Sequence, residues 1–303
     1  MASNLDITPR LQDAMQAMQR DVDGLFEAVL QTPDDSRSRL VEAMRYAAIG
    51  GGKRLRPLLT VGVAELFAVS REHAIRAGCA VEAMHVYSLI HDDLPCMDDD
   101  DLRHGKPTVH RAFDEATAVL AGDALLALAF ELITDPAIGG DPFVRSELAL
   151  TLARASGHKG MAGGQMMDIV GWEEKRPDLS GVTRLQQLKT GALLGASVEM
   201  GMILGKVPED GRTHLRGYAR DIGLAFQIAD DLLDVDGDAN LAGKALRKDE
   251  EQGKQTFVTL LGVEAARERA QILTEQARNH LDAYGEEAGL LRDIAAYIVE
   301  RKL

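Results

Sequence analysis

The sequence predicts an all-α fold. Apolar residues recur at spacings of three and four along most of the chain, which is the period of an amphipathic helix and indicates about ten or more helices. Aromatic residues make up only 4% of the sequence and runs of Val, Ile and Thr are rare, so the composition favours helix over strand. Because 46% of residues are hydrophobic, the chain has enough apolar material for one sizeable core. We expect a single domain spanning residues 1–303.

The helix boundaries are clearest in the first part of the chain. Thr8 can cap a first helix, and Pro9 suits its first turn. A second helix should begin near residues 35–36 and end at three consecutive glycines, 50–52, while Pro57 should open a third. Further helices are predicted at 70–93, 116–132, 143–161, 185–204 and 213–233, with loops at 139–142, 173–178 and 207–211 and no competing strand pattern.

Charge and composition exclude several classes of protein. The net charge of −14 argues against an extended nucleic-acid surface, which depends on Lys and Arg. Two cysteines, Cys79 and Cys96, are too few for a disulfide framework and predict a reducing cytoplasm. Residues 1–11 lack the apolar core of a signal peptide. The segment 116–133 approaches membrane-spanning length, but Asp123 near its middle predicts a buried core helix instead of a span.

Two clusters of aspartate follow apolar helical runs, the first at residues 91–101. Within it, Asp92 and Asp98 are six residues apart, which would place them on different faces of an unbroken helix. Pro95 disfavours helical geometry at the residue before it. The chain can therefore loop outward and bring Asp98 back toward Asp92, with Asp93 beside them.

The second cluster contains Asp230, Asp231 and Asp234. Asp230 and Asp234 are four residues apart and share one helix face, while Asp231 flanks them. Convergent carboxylates suit magnesium, which prefers oxygen ligands and takes further ligands from substrate phosphates. The alternative is a pair of solvated acidic helix ends. Repulsion within two such clusters favours a cation site, and we predict magnesium as the cofactor.

Basic residues stand next to both a glycine-rich turn and the first aspartate cluster. Backbone N–H groups of such a turn, together with Lys and Arg, can bind a diphosphate without a metal. We expect this role for residues 51–56, which include Lys53, Arg54 and Arg56. The alternative is a basic loop that pairs with surface acids. Further basic residues follow the aspartates: Arg103, His104, Lys106, His110 and Arg111.

Several independent motifs occur in a fixed order: GGKRLRP at 51–57, HDDLPCMDDDDLRHGKPTVH at 91–110, GD at 122–123, GGQMMD at 163–168, KTG at 189–191, FQIADDLLD at 226–234, and GK at 243–244 and 253–254. With these motifs the sequence resembles the short-chain trans-polyprenyl diphosphate synthases over essentially its whole length, most closely the bacterial farnesyl diphosphate synthases.

The resemblance implies the isoprenoid synthase fold, a single bundle of about ten or more helices around a central active-site cavity, and a homodimer. It implies a prenyltransferase that condenses isopentenyl diphosphate head to tail with dimethylallyl and geranyl diphosphate to give farnesyl diphosphate. Ionisation, condensation and elimination would be assisted by three magnesium ions. Geranyl or geranylgeranyl diphosphate is the alternative product, and the sequence leaves the preferred starter open.

The resemblance also assigns residues to roles. The magnesium ligands would be Asp92, Asp98 and Asp230, supported by Asp93, Asp231 and Asp234. Isopentenyl diphosphate would be bound by Gly52, Lys53, Arg56, His85 and His104. The allylic diphosphate would be bound by Arg103, Lys189, Thr190, Gln227, Lys244 and Lys254. Lys189, Thr190 and Gln227 would be catalytic, with Thr190 and Gln227 facing the reacting carbons.

Two rival readings belong to other classes. A terpene cyclase of the same fold would need no second diphosphate site, and its second cluster usually has an Asn/Ser/Glu pattern instead of the DDLLD found here. A non-catalytic partner subunit would usually lack aspartates that this chain retains. Hydrocarbon release from farnesyl diphosphate alone would indicate a cyclase.

Two positions bear on specificity. Tyr87 lies five residues before the first aspartate, about 7.5 Å along a helix axis from Asp92, and Ser88 lies one turn before it. By the resemblance, this aromatic would limit product length, whereas the alternative is an ordinary core aromatic. His104 stands where the family has the second arginine of an LRRG sequence, so we expect weaker, pH-dependent binding of isopentenyl diphosphate.

Overall fold

A computed structural model describes residues 7–174, 177–236 and 255–300. Helices dominate these residues, and the predictions of an all-α fold and of ten or more helices are confirmed. The first four helices are α1 (Pro9–Val29), α2 (Ser38–Ala48), α3 (Leu55–Glu65) and α4 (Arg71–Asp92).

The predicted start of α1 is confirmed by its cap. The Thr8 hydroxyl accepts a hydrogen bond from the Leu11 backbone N–H at 3.2 Å, and Pro9 occupies the first turn, where its missing N–H has no intrahelical acceptor. Helix α3 begins at Leu55, two residues earlier than expected, so Pro57 lies inside its first turn.

A short antiparallel hairpin follows α4, although no strand was predicted from the sequence. Strands β1 (Leu102–Arg103) and β2 (Lys106–Pro107) pair through two residues each. Between them His104 and Gly105 have φ of 51° and 74°, the positive values that a tight two-residue hairpin turn requires. Two-residue strands are too short to produce an alternating pattern, which is why the sequence did not reveal them.

The central part contains α5 (Val109–Ala112), α6 (Glu115–Thr134), α7 (Pro142–Ser156) and α8 (Met161–Glu174). The prediction of one helix over 143–161 is wrong, because a turn at residues 157–160 separates α7 from α8. At Gly160 a Cβ would lie 2.1 Å from the Ala155 carbonyl oxygen, so only glycine fits this turn.

The remaining helices are α9 (Leu179–Gln186), a π-helical segment (Gln187–Gly191), α10 (Ala192–Leu204), α11 (Thr213–Asp236), α12 (Phe257–Leu261), α13 (Val263–Asn279) and α14 (Gly289–Glu300). Short 3₁₀ turns cover Pro136–Ile138, Glu209–Arg212 and Asp282–Ala288. Helix α10 packs tightly on α3, since a Cβ on Gly201 would lie 2.8 Å from the Thr60 carbonyl oxygen. These packed helices hold the candidate site at their ends.

Helix α6 is the one described helix long and apolar enough to cross a membrane, with a mean hydropathy of 1.8. Half of this window is buried inside the protein, where α6 packs against α4. A core helix of this kind passes the same length and composition test, so the test is weak evidence for a span. Its other face is exposed and includes Leu120 and Asp123.

Candidate active site

The first aspartate cluster lies where α4 ends. After Asp92 the chain folds back, so the Asp98 backbone N–H donates to the Asp92 carbonyl at 2.9 Å. A second bond, from the Asp99 N–H to the Leu94 carbonyl at 3.1 Å, closes the same loop. The predicted return of Asp98 toward Asp92 is therefore confirmed.

Asp92 is the electrostatic centre of this loop. Burial raises the pKa of its carboxyl to about 6, and the charges of Asp98 and Asp93 act in the same direction. Lys189 and Arg103 oppose the shift. Three carboxylates lie close enough to repel one another, and two cations from distant parts of the chain lie within electrostatic range.

Arg103 holds the hairpin against this cluster. Its guanidinium donates to the Asp93 carboxylate through Nε at 3.0 Å and also through Nη2. Asp93 is buried, which raises the pKa of its carboxyl although Arg103 opposes the shift. The same guanidinium lies 3.6 Å from Asp100. Asp93 therefore positions Arg103, and its role as a supporting acid at a metal site stays a prediction.

A buried arginine anchors the glycine-rich turn that precedes α3. Gly50 and the exposed Gly52 each have φ of 75°, which glycine adopts without strain. Arg54 is only 2% exposed and donates to Glu82 at 2.9 Å and to Asp23 at 2.8 Å. A buried arginine requires such pairing. Arg54 thus fixes the turn, while Lys53 beside it is exposed.

Lys53 and Arg56 lie on either side of this anchor. Lys53 is exposed, with its ammonium 5.8 Å from the centre of the Tyr297 ring. The Arg56 Nε is buried and makes no hydrogen bond within the described part of the chain. Burial lowers the pKa of Arg56, and Glu82 and Asp230 oppose the shift. Arg56 therefore lies within electrostatic range of the second aspartate cluster and has a donor available for an anion.

His85 lies between the glycine-rich turn and the hairpin. Burial lowers its pKa well below the ordinary value, and Arg56, Arg103 and His104 add to the effect. The imidazole is therefore neutral at neutral pH in the substrate-free protein. His104 itself is exposed in the hairpin turn. Arg56, Arg103 and His104 therefore place positive charge around the neutral His85.

The π-helical segment carries Lys189 and Thr190 toward the aspartates. The Lys189 ammonium donates to the Asp168 carboxylate of α8 at 2.6 Å. Burial lowers the pKa of Lys189, but the carboxylates of Asp168 and Asp92 raise it by more, so the pKa lies above its ordinary value. Gly164 allows this approach, because a Cβ there would lie 2.2 Å from the Lys189 backbone nitrogen. Thr190 is partly buried beside Lys189.

Helix α11 brings the second aspartate cluster to the site. Gln227 is buried and Asp230, one turn later, is exposed. Asp231 has a structural contact instead. Its carboxylate accepts a hydrogen bond from the Phe257 backbone N–H at 2.7 Å and so fixes the start of α12. Asp234 is partly buried. The predicted allylic ligands that lie outside the described residues are Lys244 and Lys254.

The described residues fit a magnesium site in kind. Asp92 and Asp98 offer adjacent carboxylates whose repulsion a divalent cation would relieve, and Asp230 of α11 lies within electrostatic range of Arg56. Across residues 7–174, 177–236 and 255–300, no group of three or more ligating side chains is already gathered.

A family model described as polyprenyl synthetase matches residues 37–292, well over half of the chain. The chain belongs to the polyprenyl synthetase family. As a member of that family, it is a prenyltransferase that elongates prenyl chains. The predictions of family and enzyme class made from the motifs are confirmed.

Relatives of known identity match across nearly the whole chain. The farnesyl diphosphate synthase of Haemophilus influenzae is 40% identical over 296 residues, covering 96% of this chain and 98% of that one. An FPP/GFPP synthase from Zymomonas mobilis is 56% identical in its crystal structure, with a TM-score of 0.88 over 96% of this chain and 99% of that one. The geranyltransferase of Helicobacter pylori, solved with magnesium and isoprenyl diphosphate, is 32% identical, with a TM-score of 0.79 and 97% coverage of each chain.

In this polyprenyl synthetase family member, the two residues expected to set product length lie on α4. Ser88 donates its hydroxyl to the His85 carbonyl at 2.8 Å, so it presents little bulk one turn before Asp92. Tyr87 is partly buried, and its ring meets the His91 imidazole edge-on at a centroid distance of 5.3 Å. The product-length assignment of Tyr87 stays a prediction.

The sequence did not predict the roles of Asp168 and Gln165, and Arg54, which was expected to bind a diphosphate, is instead buried in ion pairs with Glu82 and Asp23. Asp168 pairs with Lys189, Arg54 anchors the glycine-rich turn, and the Gln165 Oε1 is buried with no hydrogen-bond partner among the described residues. Asp168 and Gln165 belong to the GGQMMD motif, whose helix was not predicted. The three-residue spacing that places them on one helix face was the signal available.

Proposed function

We propose that this chain condenses isopentenyl diphosphate with dimethylallyl and then geranyl diphosphate to give farnesyl diphosphate. The proposal is supported mainly by two neighbouring regions of opposite charge, each of which could bind a diphosphate in a different way. Asp92 and Asp98 form an acidic site suited to a metal-bound diphosphate, whereas the Arg56 guanidinium, beside the neutral His85 imidazole, supplies a positive charge that can bind a diphosphate without a metal. Two such sites suit a reaction between two diphosphates. A cyclase would need only the first.

The proposed reaction begins when the C1–O bond of the allylic substrate breaks and leaves a cation and a diphosphate. Arg103 and Lys189 stabilise the departing diphosphate, and charge stabilisation of this kind is the main catalytic effect. The isopentenyl double bond attacks C1, and a proton is then lost to the released diphosphate. Thr190 and Gln227 direct oxygen dipoles at the cation. The side chains need supply no nucleophile.

Magnesium is the proposed cofactor, and three ions are proposed with substrate bound. Asp92, Asp98 and Asp230 would hold the ions together with the substrate phosphates. The support is the donor set described above and the magnesium bound by the Helicobacter pylori geranyltransferase. Bound magnesium would supply neutralisation of charge on the leaving diphosphate.

The test is incubation of the purified chain with magnesium, isopentenyl diphosphate and either dimethylallyl or geranyl diphosphate, with products separated by chromatography. Farnesyl diphosphate as the main product supports the proposal. Geranylgeranyl diphosphate as the main product would overturn the product assignment. Hydrocarbon release from farnesyl diphosphate alone would show a cyclase, and no turnover under any condition would favour a non-catalytic subunit.

Replacing Tyr87 by alanine should lengthen the products. The allylic tail is proposed to extend from Asp92 along α4, where the partly buried Tyr87 ring closes its path one to two turns away. Removing the ring opens space for another five-carbon unit. Chromatography of the products should show geranylgeranyl diphosphate rising at the expense of farnesyl diphosphate. An unchanged distribution in an active variant would remove Tyr87 from the tail site.

Replacing His104 by arginine should lower the Michaelis constant for isopentenyl diphosphate. Arginine is always charged and binds phosphate through two parallel bonds, whereas histidine loses its charge near neutral pH. A charge-assisted bond contributes about 1.5 to 3 kcal/mol, which corresponds to about ten- to a hundredfold in affinity. Measured between about pH 6 and 8.5, the constant should be lower and flatter than in the parent. Superimposable curves would show that the exposed His104 does not touch the substrate.

A cytoplasmic homodimer is the proposed assembly. Helices α6 and α7 pack side by side and expose Leu120, Phe143 and Leu150, which are 56%, 84% and 49% accessible. Large exposed apolar side chains on two packed helices support an interface on this part of the surface. Sedimentation of the purified chain should give twice the monomer mass, and Leu120→Glu with Phe143→Glu should give the monomer. Both cysteines are free, as the cytoplasm requires.

A further inference from the structure

His91 joins α4 to α6 directly before the first aspartate. Its Nε2 lies 3.0 Å from the Val119 carbonyl oxygen. A carbonyl oxygen only accepts, so Nε2 must carry the proton and donate. Within α6 the Val119 carbonyl also accepts the backbone hydrogen bond of the helix, so the bond from His91 is a second one to the same oxygen. The imidazole is therefore held in one orientation by α6.

Gly122 provides the space that the imidazole occupies. A Cβ at this position would lie 2.1 Å from Nε2, 2.4 Å from Cδ2 and 2.9 Å from Cε1 of His91. All three atoms belong to a rigid ring, so the ring would have to leave. Glycine in a helix interior is unfavourable by up to about 1 kcal/mol relative to alanine, and the seat for His91 is a physical reason for its presence. This explains the glycine of the GD sequence at 122–123, which the proposed chemistry does not use.

The other side of the imidazole meets Tyr87. The two residues are four apart on α4 and so share a face, and their rings pack edge to face at 5.3 Å with an interplanar angle of 87°. Edge-to-face pairs are favoured by the charge distribution of the rings. The rotamer of Tyr87 is thus set by a ring that α6 holds in place.

We infer that His91 and Gly122 set product length by holding the Tyr87 ring across the path of the growing chain. The inference rests on the proposed role of Tyr87 and adds two residues that contact no substrate. Tyr87 alone has rotamer freedom on a partly buried face. Because His91 packs on Gly122, a change of the Tyr87 rotamer would lose the contact between the two rings. His91 and Gly122 are positioning residues for specificity.

The experiment compares product distributions of Tyr87→Ala, His91→Ala, Gly122→Ala and the double variant His91→Ala/Gly122→Ala, using geranyl and isopentenyl diphosphate. A ratio of products is read, so partial loss of rate does not obscure the result. Each variant should raise the ratio of longer products to farnesyl diphosphate, by about tenfold if a preference of about 1.4 kcal/mol is lost. The double variant should shift no further than His91→Ala.

A stability measurement separates this contact from a general packing role. Gly122→Ala should lower the thermal midpoint of the parent, because alanine clashes with the imidazole. In the His91→Ala background the clash is absent, and the same change should leave the midpoint unchanged or raise it. An equal decrease in the thermal midpoint in both backgrounds would show that His91 does not pack on Gly122. The double variant also keeps the test open if Gly122→Ala alone fails to fold.

The outcomes distinguish the inference from the function it rests on. Longer products from Tyr87→Ala together with parental products from His91→Ala would overturn the inference and leave the Tyr87 assignment intact. Parental products from all four variants would overturn the Tyr87 assignment itself. Longer products from every variant, with no additional shift in the double variant, support a single unit of three residues.

Discussion

Asp92→Asn should stabilise the metal-free protein at neutral pH while it reduces prenyl transfer by about a thousandfold. The folded-state pKa of Asp92 is raised to about 6, above its ordinary value of 3.8, mainly by burial. The folded protein therefore holds the proton more tightly than the unfolded chain does. Its free energy of unfolding falls as pH rises from about 4 to about 6, and the loss persists above that range.

The size of the effect follows from the shift. Two pKa units correspond to about 2.7 kcal/mol, which partial solvent screening reduces to about 1 to 2 kcal/mol. Asparagine removes the charge that causes the loss. It also removes a proposed magnesium ligand, so the leaving diphosphate would be less well neutralised. Stability and activity should therefore change in opposite directions.

Denaturation in chelator-containing buffer from pH 4 to pH 8 gives the stability comparison. Parent and Asp92→Asn should coincide near pH 4 and separate as pH rises through about 6. Asp34→Asn, a change at an exposed carboxylate between α1 and α2, serves as the control and should follow the parent. A stability difference that is independent of pH would contradict the electrostatic origin, and full activity would remove Asp92 from the metal site.

The parts of the site predictable from sequence are those set by local chemistry. Thr8 caps α1 as expected, and Pro95 ends α4 so that Asp98 returns to Asp92. Both results depend on residues close to one another in the chain. Proline and capping side chains act over a few residues, so their consequences can be read without the tertiary structure.

The parts that were missed depend on distant contacts. Asp168 and Lys189 are 21 residues apart and meet only because α8 and the π-helical segment pack together. The close approach of α8 to this segment, at Gly164, is likewise a contact between parts of the chain that are distant in sequence. Likewise, three basic residues follow the glycine-rich turn, yet only the structure shows that Arg54 is buried against Glu82 and that Arg56 retains an available donor.

Gly164→Ala should reduce kcat by about a hundredfold, because it displaces the segment that carries Lys189. A Cβ at Gly164 would lie 2.2 Å from the Lys189 nitrogen, 2.6 Å from its Cα and 2.8 Å from the Leu188 carbonyl carbon. These are backbone atoms, so relief requires movement of the chain. A shift of about 1 Å in a catalytic group is enough for a loss of this size.

Gly195→Ala is the matched control, since a Cβ there has nothing within 4 Å and the residue lies on α10, one turn after the π-helical segment. It should leave kcat unchanged and raise stability by up to about 1 kcal/mol through helix propensity. Steady-state kinetics below both thermal midpoints should show the loss in Gly164→Ala chiefly in kcat. The side chains proposed to bind isopentenyl diphosphate, Lys53 just before α3 and Arg56 in its first turn, should stay in place. A variant with parental kcat, or one whose loss lay only in the Michaelis constant for isopentenyl diphosphate, would show that the position of Lys189 does not limit ionisation of the allylic substrate.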